Sequence, residues 1–359
     1  MREVRDEALP SLLTRPRTIV VLFALVAIFV LAFLLAIALG SVTIPLGDVV
    51  GILFGREPAR ASWTTIVENV RVPRAIVAAL AGAALGIAGL QMQTLLRNPL
   101  ADPFALGITS GASLGVALVV LGTASATGIV LGSNGGFGGD LALAGASIVG
   151  AFAVLVPVLL IAARVRNAAT ILIVGLMFGY AVQSIVTILV VGTSFEQLQR
   201  WIAWGFGSFS GVTWGQLVVF APLLLAGMAI AAATTKQLNA LLLGEEYARS
   251  MGLNTRLMRL ATLAGSSTLA GVVTAFCGPI VFLGVAVPHL ARGLLGTSDH
   301  RTLVPAVIIL GAAIALIAQI LALLASRDGL LPLNAVTALI GAPVVVFVLL
   351  RARKGAFIA

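Results

Sequence analysis

Charge is scarce in this chain, and its scarcity excludes a water-soluble domain. Only 10% of the 359 residues are charged and 60% are hydrophobic, whereas a soluble domain carries about 25% charged residues. Apolar runs near 20 residues recur along the sequence, which is long enough for helices that cross a bilayer. The composition therefore predicts an all-α, multi-pass membrane protein. The formal net charge of +9 does not indicate nucleic-acid binding, because cations of membrane proteins collect at the cytoplasmic ends of their spans.

Cysteine, histidine and lysine are nearly missing, and each shortage excludes a class of site. The single cysteine, Cys277, cannot form an intramolecular disulfide and has the apolar context of a packing residue. His289 and His300 have no Cys, Asp or Glu cluster at metal-ligand spacing, so no metal site is expected. Lys236 and Lys354 do not close a Gly-rich loop, which excludes a P-loop. No nucleophile elbow or catalytic dyad is present, so we do not expect an enzyme.

The apolar blocks predict ten spans. Residues 1–17 form a charged tail, and the block after it is too long for a signal peptide, so we interpret it as a retained transmembrane helix. The eighth block is short and holds two glycines and two prolines, which is typical of a broken helix shielded by other protein. The predicted spans are 18–40, 73–95, 101–122, 141–163, 168–192, 213–234, 258–276, 279–295, 303–325 and 332–351.

The basic residues predict an orientation with both termini in the cytoplasm. With an even number of spans, six of the 22 basic residues fall outside and 16 fall inside, which is the bias that the positive-inside rule requires. The six outer cations are Arg56, Arg60, Arg71, Arg74, Arg200 and Arg327. The outer loop 193–213 is rich in aromatic residues, which favours an interfacial belt or an amphipathic surface helix.

A short polar segment, 243–252, separates two long apolar blocks. Glu245 and Glu246 open it, Arg249 follows and Gly252 closes it, which is the order that a helix dipole and a C-terminal cap favour. Two interpretations are open at this point. The segment is either a solvated cytoplasmic loop or a docking helix that takes force from a soluble motor.

Small and polar residues inside the spans have both a packing and a functional interpretation. Glycines recur every fourth residue at 82–86 and 107–115, and this spacing favours close helix packing in lipid over phosphate binding. Uncharged polar residues either bond neighbouring helices or line a route for a bulky polar solute. These residues are Gln91, Gln93, Gln183, Thr187, Gln319 and Asn334. Ionisable residues are nearly absent from the spans, which argues against an ion-coupled carrier, although broken helices can bind sodium through carbonyls.

Six short sequence patterns follow one another along the chain. They are RVPR at 71–74, RNPLADP at 97–103, the polar segment 243–252, GPI at 278–280, VPHLAR at 287–292 and TALIGAP at 337–343. In this order, from about residue 41 to 351, the chain resembles the FecCD-type permease family of binding-protein-dependent ABC importers for ferric siderophores, haem and cobalamin.

The resemblance implies a type II ABC importer permease fold in which 1–359 is a single permease domain, with a cytoplasmic tail at 1–17 and a coupling segment at 236–257. A second permease subunit, identical or a paralogue, would complete the route. Two ATP-binding cassette subunits would dock inside and a substrate-binding protein outside. We expect no cofactor in this chain, because ATP and Mg²⁺ would be bound by the partner ATPase. The chain would lie in the lipid of the plasma (inner) membrane, without nucleic acid, and would import an iron–siderophore, haem or cobalamin-like complex.

The resemblance also assigns roles to residues. The expected ATPase-coupling residues are Gly244, Glu245, Glu246, Ala248, Arg249 and Gly252. The expected gate residues are Asn98, Pro99, Leu100, Asn167 and Thr170. The expected binding-protein docking residues are Arg56, Arg60 and Arg327. His289 is expected to be structural, and Arg71 and Arg74 to anchor a helix. The alternatives are an ion-coupled secondary transporter without an ATPase partner, which ATP-independent uptake would reveal, and a structural scaffold without transport.

Overall fold

The computed structural model describes residues 16–122, 137–165, 167–325 and 331–352. Within these ranges the chain is helical and contains no β-strand, which confirms the all-α class. In chain order the helices are α1 (Pro16–Ala38), α2 (Leu46–Leu53), α3 (Ala61–Ile66), α4 (Val72–Leu96), α5 (Ile108–Gly122), α6 (Phe137–Ala162), α7 (Ala168–Val190), α8 (Phe195–Gly205), α9 (Trp214–Ala233), α10 (Thr235–Leu242), α11 (Glu245–Ser250), α12 (Thr255–Cys277), α13 (Leu283–Leu295), α14 (His300–Leu324) and α15 (Leu333–Ala352).

Each of the ten predicted spans overlaps one helix, in order α1, α4, α5, α6, α7, α9, α12, α13, α14 and α15. Seven helical runs among the described residues are long and apolar enough to cross a membrane, and α5, α13 and α15 supply three shorter apolar helices. The third span begins later than predicted, at Ile108, because a 3₁₀ turn at Pro103–Leu106 comes first and Gly107 turns the chain with φ +78°. Apolar composition alone does not mark such a turn, so the predicted start at 101 was wrong.

Hydrogen bonds between a helix and a loop or helix end mark the two ends of the helix bundle. At the end that carries α11, Arg259 Nη1 donates to the Val165 carbonyl at 3.1 Å. At the end that carries α8, the backbone N–H of Asn334 donates to the Phe206 carbonyl at 3.0 Å. We call these the α11 end and the α8 end.

Helix α4 is the central element, and small residues allow its neighbours to approach it. It packs against α9, α12, α13 and α14. A Cβ on Gly82 would overlap the Gly311 carbonyl of α14, and a Cβ on Gly89 would overlap the Gly284 carbonyl of α13. A Cβ on Gly111 of α5 would likewise overlap the Gly150 carbonyl of α6. The glycine spacing therefore serves close helix packing, as predicted.

The eighth span is a broken helix, as predicted. Helix α12 ends at Gly278 with φ +72°, and α13 begins only after Phe282, which has φ +71°. The backbone between the two helices is bonded by other parts of the protein. Ser208 N–H donates to the Cys277 carbonyl at 2.7 Å, and Val281 N–H donates to Asn334 Oδ1 at 3.4 Å. Such internal partners make an irregular backbone tolerable at membrane depth.

Arg71 joins the start of the second span to the end of the first. Its side chain is buried. Nη1 donates to the carbonyls of Ile37 at 2.7 Å and Ala38 at 2.8 Å, and Nη2 donates to the carbonyl of Val42. The last carbonyls of a helix lack intrahelical partners and carry partial negative charge, so a guanidinium stabilises them. The predicted anchoring role of Arg71 is confirmed.

Candidate functional site

The polar segment forms the short helix α11, which has the charge order and the C-terminal cap that its sequence predicts. Glu245 and Glu246 lie in its first turn and Arg249 in its last. Gly252 has φ +84°, which suits glycine because no Cβ is present. Gly252 N–H bonds the Arg249 carbonyl at 2.9 Å and Leu253 N–H bonds the Ala248 carbonyl at 3.0 Å, which is the Schellman arrangement.

Glu245 anchors α11 to the start of α12. Its carboxylate is 2.7 Å from Arg249 Nη2 and 2.9 Å from Arg259 Nη2, and it accepts from Thr255 Oγ1 at 3.1 Å. Partial burial acts to raise the pKa of Glu245, but the hydrogen bond from Thr255 and the charges of Arg259 and Arg249 together hold that pKa below its ordinary value. Arg259 also reaches Val165 in the loop before α7. This carboxylate therefore connects three parts of the α11 end.

The exposed face of α11 differs from the set of residues that the sequence indicated. Ala248 is buried and Glu245 is engaged in ion pairs, so neither is free to meet a partner. The exposed side chains include three apolar ones, Leu243 at 67%, Tyr247 at 51% and Met251 at 63%. Tyr247 lies on α11, Leu243 precedes its N-cap Gly244 and Met251 is its C-cap residue, so all three lie on or directly beside this short helix. Sequence reasoning missed them, although apolar residues in a water-facing segment are the signal.

The predicted gate segment 98–100 makes one hydrogen bond within itself and one contact to a distant helix. Asn98 Oδ1 accepts from the backbone N–H of Leu100 at 3.0 Å. The Pro99 carbonyl lies 2.6 Å from His289 Nε2 of α13, so His289 has the structural role expected of it. Because His289 belongs to α13, this contact joins the segment 98–100 to the broken span.

The second predicted gate segment lies at the start of α7. Asn167 is its N-cap, with Oδ1 accepting from the backbone N–H of Ala169 at 2.8 Å. Thr170 lies in the first turn and is partly buried. The neighbouring Val165 carbonyl is held by Arg259, whose other partner is Glu245. This segment is therefore tied to α11 by one arginine.

A second polar connection joins α10 to α14 and α4. Asn239 Nδ2 donates to Asp299 Oδ1 at 2.5 Å, and Asn239 Oδ1 accepts from the backbone N–H of His300 at 2.9 Å. The imidazole of His300 bridges onward, with Nδ1 at 2.7 Å from Asn239 Oδ1 and Nε2 at 2.9 Å from Thr94 Oγ1. The helix pair α10 and α11 is therefore bonded to the centre of the bundle.

The polar residues predicted inside the spans differ in their surroundings. Gln319 is buried, and its Oε1 has no hydrogen-bond partner among the described residues. Gln93 Nε2 lies 3.2 Å from the Val285 carbonyl, and Gln91 Nε2 lies 3.2 Å from Thr234 Oγ1. These contacts, with that of Asn334, confirm interhelical bonding for these residues. Gln183 and Thr187 are instead exposed on α7. Exposed polar groups on a spanning helix are typical of surfaces that face protein or water.

The predicted docking arginines lie at the α8 end. Arg56 and Arg60 are exposed on the segment between α2 and α3 and form no ion pair with another described residue. The guanidinium of Arg60 lies 5.6 Å from the ring centre of Trp63, which restricts its position. Arg327 lies outside the described residues.

The chain is similar to one family of proteins by sequence and by fold. A sequence model of the FecCD transport family matches residues 28–351. The vitamin B12 import system permease protein BtuC of Klebsiella pneumoniae is 34% identical over 334 residues, which cover 92% of this chain and 94% of the relative. The uncharacterized ABC transporter permease protein YvrB of Bacillus subtilis is 32% identical over 332 residues, covering 90% and 91%. A solved inward-facing structure of a metal-chelate type ABC transporter matches with a TM-score of 0.79 at 25% identity, covering 92% of this chain and 99% of that one.

Proposed function

Because the chain belongs to the FecCD transport family and is an ABC importer permease of the type of BtuC, we propose that it forms the membrane route for a bulky metal chelate moving inward. A ferric siderophore is the first candidate solute. A cobalamin is the second candidate, since the similar BtuC proteins are named as vitamin B12 permeases. The chain passes its solute without transforming it.

The observation that carries the proposal is the construction of α11. The six-residue helix α11 is joined to α12 by the ion pair of Glu245 with Arg259, and Leu243, Tyr247 and Met251 are exposed on it or directly beside it. Apolar anchors beside charged residues are the composition of a protein contact, in which the anchors supply most of the binding energy. We propose that this surface binds an ATP-binding cassette subunit, which hydrolyses ATP outside this chain.

The remaining partners follow from the same assignment. A second permease subunit, identical or paralogous, would complete the route, and two ATPase subunits would serve the pair. The α11 end would face the cytoplasm and the α8 end the exterior, in the plasma (inner) membrane with both termini inside. A substrate-binding protein would then meet the α8 end, where Arg56 and Arg60 are exposed.

The mechanism uses the two polar connections of the α11 end. When the ATPase dimer closes, it would displace α11 and α10. The displacement would pass through Arg259 to the loop before α7 and through Asn239 and His300 to α14 and α4. Closely packed helices have discrete arrangements and do not deform continuously, so this displacement would switch the route between two states.

The test is uptake by the assembled transporter in proteoliposomes. The permease would be reconstituted with its ATPase and binding protein, and accumulation of a labelled ferric trihydroxamate chelate and of vitamin B12 would be followed with ATP, without ATP and with an ion gradient alone. We expect uptake that requires ATP. Uptake driven by the ion gradient without ATP would favour the secondary transporter and contradict the proposal.

A further inference from the structure

The short helix α2 carries apolar side chains that the fold leaves uncovered. Leu46 is 43% exposed, Val50 37% and Leu53 43%, and Phe54, directly after the helix, is 82% exposed. Leu46, Val50 and Leu53 are four and three positions apart within the helix, so they share one side of it. We call these three residues the α2 apolar face. Contiguous exposed apolar side chains of this kind mark a surface that meets a protein or a membrane.

The charged loop after α2 packs on the other side of the helix. At 3.6 residues per turn, Asp48 lies about 200° from both Leu46 and Val50. Its Oδ1 accepts from the backbone N–H of Ala59 at 3.3 Å. The backbone N–H of Arg56 donates to the Gly51 carbonyl at 2.8 Å. The loop that carries Arg56 and Arg60 is therefore bonded to α2 away from its apolar face, so a protein that binds this loop does not need to cover that face.

The buried side of α2 packs at the end of the first span. Val49 and Ile52 are buried in the core cluster that also contains Ile37 and Ala38 of α1, and the two helices are in contact. The backbone N–H of Ile44 donates to the Ala38 carbonyl at 3.0 Å and closes the connection between them. Helix α2 therefore lies directly beside the point where α1 ends.

The end of α1 is a membrane boundary. Helix α1 is long and apolar enough to cross a bilayer, and only 17% of its most apolar stretch is buried by the protein. Val20, Phe23 and Leu31 are among its exposed side chains, which suit contact with lipid. Helix α2, with eight residues, is about 12 Å long and cannot cross a hydrocarbon core of about 30 Å. Its position beside the end of a span is that of a helix at the membrane surface.

We propose that α2 is an interfacial helix that lies along the membrane at the α8 end, with its apolar face seated in the lipid. A helix with an apolar face opposite a polar side adopts this position, and its apolar side chains enter the boundary between headgroups and acyl chains. The lipid is the leaflet at the α8 end, which is the outer leaflet in the proposed orientation. The contact holds the loop with Arg56 and Arg60 at a fixed height above the lipid, where the binding protein meets it. The inference requires only that α1 crosses the membrane and depends on neither the solute nor the ATPase.

The test measures what surrounds spin labels attached to the α2 apolar face. Leu46→Cys, Val50→Cys and Leu53→Cys would be labelled singly in the full-length chain and reconstituted in phosphatidylethanolamine–phosphatidylglycerol vesicles. Electron paramagnetic resonance then compares collisions with oxygen, which concentrates in lipid, and with a polar nickel chelate, which stays in water. We expect the ratio of oxygen to chelate collisions at these three positions to be several times that of labels on the loop.

Matched controls lie on both sides of the boundary. Glu57→Cys and Ala59→Cys place labels at exposed positions of the adjoining loop, where the chelate should dominate. Phe23→Cys places a label on the exposed surface of α1, where oxygen should dominate. The wild type, whose single cysteine Cys277 is buried, is the blank for labelling. If one α2 variant fails to fold, the other two still decide.

Three results would overturn the proposal. Labels on the α2 apolar face that meet the chelate as often as those on the loop would place the face in water. A loss of chelate collisions that occurs only after the binding protein is added would assign the face to that protein. Few collisions with either reagent, together with dipolar broadening between labels, would assign it to a second copy of the chain. Because the measurement uses neither solute nor ATP, failure of the uptake assay would leave its result unchanged.

Discussion

At the scale of single residues, Arg71 differs from the exposed cations because its guanidinium is buried and bonded to backbone carbonyls. We expect Arg71→Ala to leave the carbonyls of Ile37, Ala38 and Val42 without their buried donor. The free energy of unfolding should fall by on the order of 3 kcal/mol, because unpaired buried polar groups retain their desolvation cost. Thermal denaturation in detergent measures it. Arg71→Lys should be intermediate, since lysine lacks the planar fork, and the exposed Arg60→Ala should change the midpoint little. Equal midpoints for all three would contradict the anchoring role.

Adjacent glutamates of α11 should respond differently to the same substitution. Glu245→Gln removes the charge that holds Arg249 and Arg259, so amide hydrogen exchange over residues 245–253 should rise and affinity for the ATPase subunits should fall about three- to tenfold. Glu246 is exposed and has no ion pair with another described residue. Glu246→Gln should therefore leave the exchange unchanged. Increased exchange in both variants, or in neither, would refute the anchoring by Glu245.

The pH dependence of this anchor has a definite sign. The pKa of Glu245 in the fold lies below the ordinary value of 4.5. A depressed carboxyl pKa contributes stability that is fully present above the ordinary value and is lost as the pH falls through the lowered one. Exchange over residues 245–253 should thus be insensitive to this group near neutral pH and increase only in acid, and Glu245→Gln should remove that acid response.

The sequence predicted α11 well and the partners of its residues poorly. Its C-terminal cap depends on residues within one turn, such as Gly252 with the Arg249 carbonyl, so the local order of residues was sufficient. The role of Glu245 depends on Arg259, 14 positions later, across a loop and the start of another helix. No pattern in one sequence reports such a distant pairing, so the ion pair of Glu245 with Arg259 could not be predicted.

At the scale of elements, the close contact of α4 with α14 limits the size of the side chains that fit between the two helices. A Cβ on Gly82 would overlap the Gly311 carbonyl, whereas a Cβ on Gly145 of α6 would meet no described atom within 4 Å. We expect Gly82→Ala to separate the helices and lower the thermal midpoint and folded yield strongly. Gly145→Ala should be neutral or slightly stabilising, because alanine has the higher helix propensity. Similar midpoints for the two variants would show that the interface can relax.

Helix existence was predictable from the sequence, while helix starts were not. Ten spans follow from apolar runs, which are local and long. The late starts of α5 and α13 depend on Gly107 and Phe282, whose backbones have positive φ in the left-handed region. An aromatic residue does not favour this backbone conformation by itself, so its surroundings must stabilise it. A Cβ on Gly341 of α15 would overlap the Cβ of Phe282, so this start depends on a contact between distant parts of the chain.

At the scale of the whole molecule, the proposed orientation can be tested with a nearly cysteine-free background. Cys277 is the single cysteine of the chain and is buried, so an impermeant maleimide should label the wild type weakly. Gly211→Cys at the α8 end should be labelled in intact cells, and Ser250→Cys of α11 only after permeabilisation. The physical basis is the excess of basic residues on the α11 side. The reverse labelling pattern would show that the α8 end faces the cytoplasm. It would contradict the proposed docking sites of both the ATPase and the binding protein.

The last prediction concerns the meeting of the α8 end with a binding protein. Of the cations at this end that the structure describes, Arg71 is occupied by carbonyls and Arg200 pairs with Glu196 at 3.8 Å. Arg56 and Arg60 are exposed and are in no ion pair with a described residue.

Arginine pairs with carboxylates in a planar, bidentate geometry, which fixes orientation as well as adding energy. Exposed pairs are worth only about 0–1 kcal/mol each, so a single Arg56→Ala should weaken binding less than about fivefold. Arg56→Glu with Arg60→Glu adds repulsion and should weaken it at least tenfold. Binding-protein affinity for the reconstituted permease would be measured across a salt series, and the wild-type affinity should fall as salt rises past about 0.15 M, where the Debye length is about 8 Å.

The matched control is Arg256→Glu, an equally exposed charge reversal at the α11 end, which should leave binding-protein affinity unchanged in the proposed orientation. Unchanged affinity in the double variant without salt dependence would refute arginine docking. A loss confined to Arg256→Glu would place the binding protein at the opposite end, because a charge reversal weakens association only where the two surfaces approach within a Debye length of each other.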